Sequence, residues 1–160
     1  MSAEASSDIP TVDSRQPSAA PGEYLNPVNS QDAKVTNPYS MDTLIYSVTL
    51  DQYMTHDGID LAASAGTSVK TCASGTVTRI EKDDRYGMIV EISHGNDLLS
   101  LYGNLAEDGL VELGEVVSRG DVIGKVGKTS TFEASGAEHL HFSMKLKDEP
   151  VDPGKYIKGL

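Results

Sequence analysis

The chain has 160 residues, a formal net charge of −11 and one cysteine. That length fits a single domain with a core of ordinary size, and the acidic balance argues against nucleic acid, whose phosphates demand Lys and Arg. A lone cysteine excludes an intrachain disulfide and a zinc ribbon, and no run reaches the ~18 apolar residues of a membrane helix.

Residues 1–40 carry Pro10, Pro17, Pro21, Pro27 and Pro38 among Ser, Ala, Asp and Asn. They lack apolar periodicity and read as a disordered linker. The first twenty residues have neither the basic nor the apolar region of a signal peptide, so the chain is expected to be either cytoplasmic or preceded by an anchor or signal absent from this sequence. The next segment, YSMDTLIYSVTLDQYMT (39–55), fits a short helical turn or an edge strand.

From Gly58 onward lie fourteen of the fifteen glycines. They alternate with short Val- and Ile-rich runs such as GTVTRIE (75–81), YGMIVEIS (86–93), DLLSLYG (97–103) and DVIGKVG (121–127). Turn sequences HGND, EDG and SRGD separate these runs. Residues 56–146 contain no ten-residue stretch of helical period, which predicts an all-β domain of antiparallel strands over 41–157 and a short tail at 158–160.

The last predicted strand, EHLHFSMKL (138–146), places Leu140, Phe142, Met144 and Leu146 on one face and His139 and His141 on the other. Upstream, HDGID holds His56 and Asp60. Their i, i+4 spacing shares a face in a helix and in a strand alike, and Gly58 with Ile59 favours an extended or loop conformation. His56, Asp60 and one histidine of the HLH pair would supply two imidazoles and a carboxylate. That is the donor set of a catalytic zinc site, which keeps its fourth position for water. The second histidine of the pair is then left beside that position for proton transfer.

Other titratable groups read more plainly. Cys72 is expected as a small buried thiol, and His94 as a turn residue. Glu138 lies on the strand face opposite His139, which makes it a poor general base. Ser130 and Glu133 fall in a loop that is either a groove rim or solvated. Lys145 lies within a strand, unlike the turn-borne lysine of biotin or lipoyl carriers.

HDGID, the central SLYGNL and the late HLHF together resemble the lysostaphin/LytM-type zinc peptidoglycan endopeptidases, with H-x(3)-D early and H-x-H late. The likeness covers residues 40–157. It implies a groove-forming antiparallel β fold, zinc held by His56, Asp60 and His141, His139 as the catalytic proton-handling residue, and peptidoglycan as substrate. That family carries a second catalytic histidine in Y-x-H-L, where this chain reads Tyr102-Gly103-Asn104-Leu105. An asparagine amide can donate to an oxyanion but cannot accept and return a proton, so the resemblance implies Asn104 at the catalytic site and attenuated hydrolysis.

PYSMDTLIYSVTLDQYMTHDGIDL, YGNL and FEASGAEHLHF are similar to the SpoIIQ-type sporulation proteins of clostridia within that family. That group implies an extracytoplasmic domain behind an anchor and linker, and a scaffold alternative: binding a sporulation membrane-protein partner across the intermembrane space.

Overall fold

The computed structural model describes residues 24–28, 34–47, 51–130 and 138–157. Among these residues the regular structure is almost wholly strand, with one 3₁₀ turn at Pro153–Lys155. In chain order the strands are β1 (Val35–Asn37), β2 (Ser40–Ser47), β3 (Gln52–His56), β4 (Ile59–Ala62), β5 (Ser68–Lys70) and β6 (Gly75–Asp83). They continue as β7 (Gly87–Ser93), β8 (Leu98–Leu105), β9 (Val116–Val117), β10 (Val122–Lys125), β11 (His139–Leu146) and β12 (Glu149–Val151).

The main sheet runs β1-β4-β11-β8-β7-β6-β9, with β12 added alongside β11. Every pairing in it is antiparallel. Two-stranded sheets β5–β10 and β2–β3 complete the fold. Local chemistry sets the reversals. Asn96 and Asp97 join β7 to β8 with φ of 54° and 66°, and Lys147 and Asp148 join β11 to β12 with φ of 52° and 66°. Two successive left-handed residues match the right-handed twist of a hairpin, and Asn and Asp tolerate that conformation.

The core collects the alternate apolar residues of these strands, among them Val90 and Ile92 of β7, Tyr102 of β8, and Leu140 and Phe142 of β11. Each such side chain contributes about 1.5–3 kcal/mol of transfer free energy on burial. The alternation expected in EHLHFSMKL is present, but both faces of β11 are buried from His139 through Met144. Its histidine face lies beneath neighbouring structure: the rings of Tyr86 and His56 pack against His141.

Of the two alternatives for the segment at 39–55, the strand is present: β2 pairs antiparallel with β3, with Ser40 opposite His56 and Ser47 opposite Gln52. The linker expected through residue 40 ends earlier. Tyr24 and Val28 are buried in the core, and β1 pairs with β4. A few anchoring residues suffice for this docking, too few to create a periodic signal. Residues 1–23, 29–33, 48–50, 131–137 and the 158–160 tail lie outside the described residues.

His94 is more than a turn residue. It is buried, donates from Nδ1 to the carbonyl of Ser74 (2.8 Å) and places Nε2 2.7 Å from Ser100 Oγ. Ser100 donates to Tyr102 Oη (2.8 Å), which donates to Cys72 Sγ (3.3 Å). Burial pushes the Cys72 thiol up to about 11 and His94 below its ordinary value. The thiol is therefore an inert member of a buried polar network.

Candidate metal centre

His56 ends β3, Asp60 lies in β4, and the Asp57-Gly58 step between them turns the chain. Gly58 is required there by space: a Cβ at this position would meet the Phe142 carbonyl oxygen at 2.5 Å. With that approach allowed, β4 lies antiparallel to β11 and Asp60 falls directly opposite His141. Residues paired across a strand ladder point to the same face, so the carboxylate and the imidazole converge.

One donor atom from each of His56, Asp60 and His141 lies within 4.8 Å of the other two, and all three residues are buried. Asp60 Oδ1 is 3.1 Å from His141 Nδ1 and 3.5 Å from His56 Nε2. Tetrahedral zinc with bonds of ~2.0–2.1 Å separates its ligand atoms by roughly 3.3–3.4 Å, which these two distances bracket. The chemistry of the donor set fits as well: two nitrogens, one carboxylate oxygen and no thiol.

Neighbouring groups orient these donors. Asn37 Nδ2 donates to Asp60 Oδ2 (3.2 Å), turning the other oxygen towards the histidines. His56 Nδ1 lies 3.0 Å from the Pro38 carbonyl. A carbonyl only accepts, so in the neutral ring Nδ1 carries the proton and Nε2 presents its lone pair towards Asp60. The Tyr86 ring stacks on His141 with centroids 3.9 Å apart and planes at 6°. Its hydroxyl donates to Asp57 Oδ1 (3.1 Å), and that oxygen stands 3.8 Å from His141 Nε2. An oriented outer shell of this kind is typical of histidine metal sites.

The sequence reading missed Asn37, Pro38, Asp57 and Tyr86. Asn37 and Pro38 fell in the expected linker, where the N-P dipeptide signals only a turn. Asp57 adjoins His56 in the motif itself, but its relation to His141 is visible only in three dimensions. Tyr86 carries no sequence signal for stacking.

His139 is buried two residues before His141, on the same face of β11 by strand parity. Asn104 is the penultimate residue of β8, its amide held by backbone groups on two sides: Nδ2 donates to the His139 carbonyl (2.8 Å), and Oδ1 accepts from Thr129 and Ser130 N–H (2.8 Å each). Glu138 is exposed; it accepts from Ala65 N–H (3.0 Å) and pairs with Lys128 (3.1 Å). Those two partners hold its carboxyl below the ordinary range, consistent with a structural role. Ser130 is buried rather than solvated, Glu133 lies outside the described residues, and Lys145 sits within β11.

The model of peptidase family M23 matches residues 54–153, more than half the chain and the whole of the His56–His141 arrangement. The chain belongs to peptidase family M23. Its fold is the LytM/lysostaphin type: the catalytic domain of lysostaphin from Staphylococcus simulans superposes with a TM-score of 0.63 over 79% of this chain and 95% of that one, at 24% identity.

Stage II sporulation protein Q of Bacillus subtilis is 37% identical over 107 residues, 66% of this M23 chain and 37% of that protein. The DD-carboxypeptidase/endopeptidase Mpg of Neisseria meningitidis is 36% identical over 104 residues, 65% of this chain and 23% of Mpg. This chain thus spans well under half the length of these relatives. A chain of the SpoIIQ–SpoIIIAH pore-forming complex matches with a TM-score of 0.72 and 29% identity, over 85% of this chain and 91% of that one.

Proposed function

We propose that this M23 domain binds zinc through His56 Nε2, Asp60 Oδ1 and His141 Nδ1, and that it acts outside the cytoplasm on the peptide cross-links of peptidoglycan with attenuated turnover. The observation that carries the reading is the buried convergence of these donor atoms within 4.8 Å. When bound, zinc supplies Lewis acidity towards a carbonyl oxygen and towards water.

The chain's own residues divide the remaining work. Asn37 and Pro38 fix the orientations of Asp60 and His56, and Tyr86 and Asp57 flank His141. His139 takes a proton at its imidazole and returns it to the leaving amine. Asn104 stands where the lysostaphin/LytM resemblance places a second histidine, and an amide moves no proton at neutral pH. Loss of one such group lowers the rate by about 10²–10³, by analogy with removal of an oxyanion-hole donor.

A zinc assay joined to release of muropeptides from cross-linked wall tests this. The expected result is one zinc per chain and slow release that a chelator stops. A zinc-loaded domain that never cuts cross-linked wall would overturn the hydrolytic part of the reading.

The similarity to a chain of the SpoIIQ–SpoIIIAH complex, over 85% of this chain, favours a second reading. In it the same fold is a scaffold that holds a sporulation membrane protein across the intermembrane space, with zinc as a structural clip. Capture of such a partner that survives His139→Ala supports the scaffold, and loss of capture in that variant counts against it.

A further inference from the structure

Asn104 has a φ of 61°, a left-handed conformation that asparagine tolerates better than most side chains. Its backbone N–H donates to the Tyr86 carbonyl (2.6 Å), and its carbonyl accepts from Gly127 N–H (2.8 Å). Two backbone N–H groups converge on Oδ1, which fixes the orientation of the amide, since a flipped NH₂ would face donors. Nδ2 is thereby aimed at the carbonyl of His139.

The partners extend the knot. Thr129 Oγ1 donates to the Leu105 carbonyl (2.8 Å) and accepts from Met88 N–H (3.0 Å), while Ser130 Oγ donates to the Arg85 carbonyl (3.0 Å). Four pieces of chain meet here: the β6–β7 turn bearing Tyr86, the end of β8, residues 127–130 and the first residue of β11. Two of them carry groups of the centre, the Tyr86 ring stacked on His141 and His139 itself.

We propose that Asn104 is a positioning residue: its buried amide clamps the start of β11 to residues 129–130 while its backbone N–H holds the Tyr86 turn, setting the placement of His139 and His141, and it is not a donor to substrate. The inference rests on the metal-centre reading above for its functional meaning. An imidazole at 104 cannot replace the clamp, because it cannot accept from two N–H groups and donate to a third partner at once. Asn104→His therefore loosens the site instead of restoring a catalytic group.

The test compares the full chain with Asn104→His, Asn104→Leu and Asn104→Asp by amide hydrogen exchange, carbonyl chemical shifts and zinc affinity against a competing chelator. In the His and Leu variants, exchange at Thr129 and Ser130 should quicken and the His139 carbonyl shift should move. Zinc affinity should fall by roughly tenfold, the scale of outer-shell losses. Asn104→Asp keeps an acceptor for both N–H groups, so protection at 129 and 130 persists while the His139 carbonyl shift moves. Parent-like exchange, shifts and zinc affinity in all three variants, with only kcat on a cross-linked peptide reduced, would overturn the clamp in favour of a transition-state donor. Exchange and shifts need neither metal nor substrate, so they decide this inference even where the parent binds no zinc.

Discussion

At the scale of single residues, the centre depends on orientation as much as on donor identity. Asp60 offers one oxygen to the histidines because Asn37 holds the other. Replacing Asn37 with Ala leaves all three donors in place and should lower zinc affinity by about 10–100-fold, measured by chelator competition. Asp60→Asn removes the one carboxylate of the donor set and should abolish stoichiometric zinc in a metal analysis. His94 makes a different prediction. Its buried ring resists protonation in the folded state more than in the unfolded chain, so the stability it carries above about pH 6.5 is lost as pH falls below that value. Cys72 and Tyr24 face it, Tyr102 lies one hydrogen bond beyond it through Ser100, and burial raises Cys72 and Tyr102 well above neutrality. Parent stability in urea should fall, as pH drops below about 6.5, by up to ~1.4 kcal/mol per pH unit more than that of His94→Gln.

At the scale of elements, the site is made by one crossing: the β3–β4 turn against the middle of β11. Gly58 allows it, since any Cβ there meets the Phe142 carbonyl. Gly58→Ala should destabilise the domain by about 1–3 kcal/mol through enforced backbone displacement. It should also reduce zinc affinity, because His56 and Asp60 flank the displaced residue. A thermal melt read beside a zinc titration checks both effects. A variant with parent-like values in both would show that the crossing does not depend on close approach. The β2–β3 hairpin matters for the same reason, because its base pairs Ser40 with His56.

At the scale of the whole molecule, residues 24–28 and 34–40 pack against the domain. Tyr24 and Val28 enter the core, β1 caps one edge of the main sheet, and Asn37 and Pro38 hydrogen-bond Asp60 and His56 of the candidate metal site. A chain beginning at Met41 should lose at least ~3 kcal/mol, taking two buried apolar side chains at about 1.5–3 kcal/mol each. Its zinc affinity should fall with its stability. Equal urea midpoints for the full and shortened chains would refute the docking of this segment.

The sequence by itself determined the strand-rich class and the turns, and it offered His56, Asp60 and one histidine of the H-x-H pair as a donor set. Period-two apolar runs punctuated by Gly, Asn and Asp are local signals, and H-x(3)-D with H-x-H is a short pattern of chemically distinctive residues. Only the tertiary structure decided that 24–28 and 34–40 pack against the domain, that Asp57 and Tyr86 flank His141, and that the Asn104 amide faces backbone instead of open space. Those facts depend on which distant segments lie side by side and in which register. Register is set by the summed packing of the sheet, and no short stretch of this chain encodes it.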